Sequence, residues 1–141
     1  MCIFCKIVGD SLPSYKVYED EKTLAFLDIK PVNDGHVLLI PKHHEQFIEK
    51  LPEDDYKAVL SSLRKLVTPI QDAFNAPASN IVINNGPNAG QVVDHVHIHI
   101  IPRPKPIGRN FFTTTSRMEK SKEYFEEIAE KIRKEVEATS V

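Results

Sequence analysis

Between Asp94 and Pro102 the chain reads Asp-His-Val-His-Ile-His-Ile-Ile-Pro, so three histidines alternate with β-branched residues. An alternation of period two fits a strand with two unlike faces, because successive side chains on a strand leave opposite sides. Val96, Ile98 and Ile100 are expected toward the core, and His95, His97 and His99 together on the other face. Same-face neighbours on a strand stand about 7 Å apart, so His95 and His99 are about 13 Å apart and cannot both press on one small reacting atom. The three imidazoles must divide the labour. A run of surface histidines on an edge strand would explain one such residue, but three at this spacing are hard to explain as packing. All six histidines of the chain, His36, His43, His44, His95, His97 and His99, fall in two segments beside strand-like runs, which points to chemistry at one place.

The rest of the chain supplies elements for such a strand to join. Tyr15–Tyr18 and Thr23–Leu27 read as a hairpin closed by the charged turn 19–22, and His36–Ile40 follows the turn signal Asp34-Gly35 as a third strand. Pro52 and the acidic Glu53, Asp54 and Asp55 mark a helix start. Tyr56, Val59, Leu60, Leu63, Leu66, Val67, Ile70 and Phe74 then recur mostly at three- and four-residue steps, which lays one apolar stripe against a sheet, with a kink or a new turn expected at Pro69. Asn80–Asn84 reads as a fourth strand before a glycine-containing loop. Beyond Arg103 the character changes: Pro102, Pro104 and Pro106 oppose a regular ladder, Thr113–Ser116 is loop-like, and a helix is expected from about residue 118, with Tyr124, Phe125, Ile128, Ala129, Ile132 and Val136 on its apolar side. Strands, helix, then strands predict an α+β fold, an antiparallel sheet with a helix packed on one face and an additional C-terminal helix.

The motif His-φ-His-φ-His-φ-φ at 95–101, together with Phe4-Cys5-Lys6-Ile7, Ala25-Phe26-Leu27-Asp28-Ile29, Gly35–Lys42 and Asn85–Gln91, occurs in an order that resembles the histidine-triad (HIT) superfamily. The likeness covers Cys2 to about Arg103. At 141 residues the chain has room for a single domain over 1–141, in which the likeness marks a core at about 2–103 and leaves a C-terminal extension at about 104–141 that short members of the family lack. The likeness also implies a HIT-like sheet of about five strands, and a homodimer.

Composition excludes several functions. A net charge of −2 and a sequence pI near 6.3 provide no basic face for a nucleic-acid polymer or an anionic membrane. No run is long enough to span a bilayer and the N-terminus lacks a signal-peptide pattern, so a cytoplasmic protein is expected.

A neutral imidazole is a good nucleophile, and a nucleotidyl-imidazole can be opened by water, so histidine suits two-step phosphorus chemistry. The residues alone leave open a metal site made from the same three side chains. The resemblance implies that His97 is the nucleophile, that His99 helps hold and neutralise phosphate, and that His95 and His36 are hydrogen-bonding or structural partners. It further implies that Asp28 accepts the hydroxyls of a ribose, that Asn84 and Gln91 contact the phosphate or leaving group, and that Phe4, Ile7, Leu12, Phe26 and Ile29 surround a purine base. Val92 departs from the hydroxyl residue usual after Gln91. Cys2 and Cys5 are a half-site for Zn²⁺ or a pair of reduced thiols. The resemblance completes a structural zinc site with His44 and His95, with His43 as the neighbouring alternative to His44.

The activity implied is a nucleotide hydrolase or transferase that cleaves nucleoside 5′-phosphoramidates or dinucleoside polyphosphates at the α-phosphorus through a nucleotidyl-histidine intermediate, releasing a nucleoside monophosphate. A non-catalytic nucleotide-binding scaffold and a zinc-binding regulatory protein are the competing readings.

Overall fold

The structure is a computed structural model that describes residues 2–109 and 116–139; Thr113, Thr114 and Thr115 of the expected loop lie outside the described residues. The elements run α1 (Ile3–Val8), β1 (Lys16–Glu19), β2 (Thr23–Leu27), β3 (Val37–Pro41), α2 (Glu53–Ala73), β4 (Ala78–Ile83), β5 (Ile98–Arg103) and α3 (Lys122–Thr139). Single 3₁₀ turns lie at Ile48–Lys50 and Pro87–Ala89. The five strands form one sheet in the order β1-β2-β3-β5-β4, and every neighbouring pair is antiparallel.

The β1–β2 turn is tied by Asp20, whose Oδ1 accepts the N–H groups of Lys22 and Thr23 and the Thr23 hydroxyl. Ser62 of α2 donates to the other oxygen, which registers the helix over the hairpin. α2 buries Val59, Leu66 and Ile70, and it continues through Pro69 to Ala73 where the sequence predicted a kink or a new turn.

The expected helix on one face is present, and the C-terminal helix joins it there. Val17, Ala25, Leu27, Val37, Leu39, Val96, Ile98 and Ile100 from the sheet side pack with α2 and with Phe125, Ile128, Ala129 and Ile132 of α3. α3 is held further by a stack of Phe125 on Tyr15, by Arg133 donating to the Lys16 carbonyl, and by the Tyr124 hydroxyl donating to Asp34.

The opposite face is covered as well, which the sequence reading did not anticipate. There α1 inserts Phe4 and Ile7 against Leu24, Phe26, Leu38 and Ile40. With both faces covered, β2 and β3 are apolar at nearly every position instead of alternating.

β5 begins at Ile98, so His95, Val96 and His97 precede the regular ladder that the alternation predicted from His95. The alternation nevertheless holds, with Val96, Ile98 and Ile100 in the α2 core. The strand also runs through Pro102, because β3 pairs with β5 only between Val37–Leu39 and Ile98–Ile100. Beyond that point one side of β5 has no ladder to interrupt, and proline is tolerated there. Among the described residues no helix is long and apolar enough to cross a membrane.

Candidate functional site

Each imidazole of the triad has one ring nitrogen committed to a known partner, and that fixes what the other nitrogen can do. His97 places Nδ1 2.8 Å from the carbonyl oxygen of His95. A carbonyl only accepts, so His97 Nδ1 carries the proton and Nε2 keeps its lone pair. Among the described residues nothing is hydrogen-bonded to that Nε2. The ring is clamped edge-to-face by Phe4 and by His99, with ring centroids 5.1 Å away in each case. Burial is the main cause that holds the His97 pKa below the ordinary imidazole value, and the nearby Arg117 charge adds to it against the opposing His95 carbonyl and Asp28. The result is a neutral imidazole with a free, positioned nucleophilic nitrogen.

His36 and His99 form a directed pair. The Val32 N–H donates to His36 Nδ1, so a neutral His36 carries its proton on Nε2 and donates it to His99 Nδ1 at 2.8 Å. His99 in turn keeps its own proton on Nε2. Burial holds His36 at about 3 and His99 at about 4, so both are neutral near pH 7. The Asp28 carboxylate is 3.6 Å from His36 Nε2, close enough to bring Asp28, His36 and His99 into one possible metal-ligand cluster. The tautomer argues against a cation there: metallating His36 Nε2 would force a proton onto Nδ1, facing the Val32 N–H. The cluster is better suited to passing hydrogen bonds.

His95 turns the other way. Its Nε2 donates to the Pro41 carbonyl at 2.8 Å, which leaves Nδ1 as a lone pair. That Nδ1 is 3.4 Å from Cys2 Sγ, 3.7 Å from Cys5 Sγ and 3.3 Å from His44 Nδ1. Cys2 Sγ and Cys5 Sγ are 3.4 Å apart, and Cys5 Sγ is 3.3 Å from His44 Nδ1. A tetrahedral zinc with its usual bond lengths needs ligand atoms about 3.4 to 3.8 Å apart, so the donor set and spacing fit. The carbonyl behind His95 is the kind of partner that fixes a ligating imidazole. His44, not His43, completes the group.

Loop 84–91 lies between β4 and the triad. Gly86 and Gly90, at φ of 101° and 93°, flank the 3₁₀ turn with backbone that favours glycine. Gln91 is spent on the loop itself: its Oε1 accepts the Gly86 N–H and its Nε2 donates to the Gln46 carbonyl. Only one amide hydrogen remains for the expected phosphate contact. Asn84 is half-buried beside Gly90, and Val92 is 90% exposed.

The five residues expected around a base separate by burial. Phe4, Ile7 and Phe26 are interior to the α1-side cluster, Leu12 packs on its margin, and Ile29 is 62% exposed. Asp28 accepts the Lys30 N–H on Oδ1 and Arg117 Nη1 on Oδ2. Arg117 was not expected; it sits in an irregular stretch after the prolines, where no periodicity or motif marks it.

Comparison with known proteins agrees with this arrangement. Residues 10–106 match the HIT domain family. An adenosine 5′-monophosphoramidase of Candida albicans is 45% identical over 106 residues, covering 72% of this chain and 70% of that protein. A hypothetical histidine triad nucleotide-binding protein from Sulfolobus tokodaii superposes with a TM-score of 0.87 at 38% identity, over 97% of this chain and 93% of that one. A Zn-bound histidine triad family protein from Mycobacterium smegmatis superposes with a TM-score of 0.82 at 31% identity, over 97% and 94%. Sequence match, fold and histidine geometry agree, and the chain belongs to the histidine-triad (HIT) family.

Proposed function

We propose that this protein is a nucleotide hydrolase or transferase that cleaves at the α-phosphorus and releases a nucleoside monophosphate through a nucleotidyl-His97 intermediate. The observation that carries the reading is the His97 tautomer: with Nδ1–H held by the His95 carbonyl, Nε2 is the only ring atom able to attack. His97 Nε2 bonds to phosphorus as the bond to the leaving amine or nucleotide breaks. Water then opens the P–Nε2 bond. One water is consumed in all, its proton going to the leaving group and its hydroxyl to phosphorus. His99, with Nε2–H available and His36 behind it, hydrogen-bonds the phosphate.

In this reading Asp28 accepts the ribose hydroxyls, Asn84 and the remaining Gln91 hydrogen address the phosphate side, and Phe4, Ile7, Leu12, Phe26 and Ile29 form the wall and rim for a purine base. The relative named adenosine 5′-monophosphoramidase supports nucleoside phosphoramidates ahead of dinucleoside polyphosphates. Turnover of a panel of adenosine and guanosine phosphoramidates and dinucleotides tests it: release of the monophosphate by the parent and not by His97→Ala is expected, and equal turnover by both would overturn it.

Cys2, Cys5, His44 and His95 would hold a structural Zn²⁺. The metal would tie α1 to the sheet. That site faces His95 and not the free nitrogen of His97, so it stabilises the arm and leaves the phosphorus chemistry to the imidazoles. A cytoplasmic homodimer belongs to the same reading; β4 ends the sheet as an open edge with Ile81 46% exposed, and sedimentation of the purified chain tests the pairing.

A further inference from the structure

Arg117 lies outside the residues that match the HIT domain, yet its guanidinium reaches the carboxylate that the proposed function gives to the ribose. The same Nη1 donates to Asp28 Oδ2 and to the Lys30 carbonyl, each at 2.8 Å. The Met118 N–H donates to the Pro31 carbonyl at 2.8 Å, so 117–118 is laid along the 28–31 turn by backbone as well as side chain. Asp28 Oδ1 is held by the Lys30 N–H at 2.9 Å. Each carboxylate oxygen therefore has one protein donor and keeps lone-pair capacity for a further hydrogen bond. The Asp28 side chain is 13% exposed and that of Arg117 is 47% exposed, so a largely buried anion is paired with a half-exposed cation.

We propose that Arg117 is the positioning residue for Asp28 and thereby determines how well the site recognises a ribose. It acts in two ways. A charge-assisted bond from a guanidinium orients the carboxylate, so that its free lone pairs are presented to the hydroxyls without further loss of rotamer freedom. It also gives Asp28 a counter-charge, so that the carboxylate repels an incoming anionic phosphate less.

A third consequence concerns the histidines. His36 Nε2 is 3.6 Å from Asp28 Oδ2 while donating to His99 at 2.8 Å. A carboxylate released from Arg117 would compete for that proton, since an ionised acceptor makes the stronger hydrogen bond. Arg117 keeps Asp28 turned to the sugar and leaves the His36–His99 pair intact.

The inference rests on the ribose reading of Asp28, and the test separates the two. kcat and KM are measured for an adenosine 5′-phosphoramidate and for its 2′,3′-dideoxy counterpart in the parent, Asp28→Ala, Arg117→Ala, Arg117→Lys and the Asp28→Ala/Arg117→Ala double variant. Arg117→Ala is expected to reduce the ribose-to-dideoxy preference in kcat/KM by about threefold to fivefold, less than Asp28→Ala does and mostly through KM, with Arg117→Lys restoring most of it. In the Asp28→Ala background, removing Arg117 should change the preference by less than about twofold, because the two residues act as a unit. Arg117→Met keeps the aliphatic stem and repeats the measurement if Arg117→Ala does not fold. If Asp28→Ala abolishes the preference while Arg117→Ala and Arg117→Met leave it unchanged, the inference about Arg117 is wrong and the ribose reading stands. If Asp28→Ala leaves the preference unchanged, the ribose reading fails and the inference falls with it.

Discussion

His95 and His97 are two residues apart and face the same side of the sheet, yet they are prepared for opposite uses. His95 has its Nε2 proton on the Pro41 carbonyl and offers Nδ1 to two thiols and His44. His97 has its Nδ1 proton on the His95 carbonyl and offers Nε2 to the open site. Residue type and burial are nearly the same for both. What separates them is which ring nitrogen meets a backbone acceptor, so a main-chain oxygen decides which nitrogen each ring leaves with its lone pair.

Removing each imidazole is the strongest way to break that contrast. His97→Ala should lower turnover by about a thousandfold or more while nucleotide binding survives, because the proposed covalent route is removed and the pocket is not. Single-turnover kinetics with a parallel binding titration checks it, and turnover within a few-fold of the parent would erase the distinction between the two histidines.

The next effect sharpens the other side. Cys2→Ser or Cys5→Ser should abolish bound zinc and lower the melting temperature by about 5–10 °C, with residual activity remaining, since ligation is lost on unfolding. Elemental analysis of protein purified without added metal, followed by thermal scans, decides it. An absence of zinc even after supply would mean that Cys2 and Cys5 are ordinary thiols.

Smaller still is the loss of sugar recognition in Asp28→Ala, expected at about tenfold in kcat/KM for ribonucleotides relative to deoxy counterparts. Equal losses for both sugars would remove Asp28 from the site.

The last effect is a pH slope, read in stability and not in turnover. Burial depresses His36 to about 3 and His99 to about 4 from an unfolded value of 6.5, so below 6.5 the unfolded chain binds protons that the folded chain refuses. Their contribution to stability is complete above pH 6.5 and declines as the pH falls, to about 4 for His99 and to about 3 for His36. Asp28 opposes the depression of both, while Arg117 reinforces it for both. Melting temperature measured from pH 7.5 to 4.5 should fall more steeply in the parent than in His36→Gln, and parallel curves would show that His36 titrates as it does in the unfolded chain.

Much of this was legible before any coordinates. The alternation at 95–101 placed Val96, Ile98 and Ile100 in the core, and the three- and four-residue spacing of α2 and α3 placed most of their apolar stripes, Tyr56 of α2 being 39% exposed instead. These are local signals, since a periodic pattern reports the face that an element must bury. The family resemblance, and not the spacing, singled out His97 and His99 for the phosphorus chemistry and His44 and His95 as companions of the two cysteines; the structure brings the last two within reach of Cys2 and Cys5. The α1 cover was less legible, because Phe4 and Ile7 on so short an element form no periodic stripe. Arg117 was not legible at all: its partners Asp28 and Lys30 are 89 and 87 residues away, and nothing near it in the chain records them.

The sequence by itself determined the residue types, the alternation that sends three imidazoles to one face, and the family to which the chain belongs. Only the tertiary structure decided what each imidazole can do. A neutral histidine has two tautomers of similar energy, and the choice between them rests on contacts made after folding: the Val32 N–H at His36, the Pro41 carbonyl at His95 and the His95 carbonyl at His97.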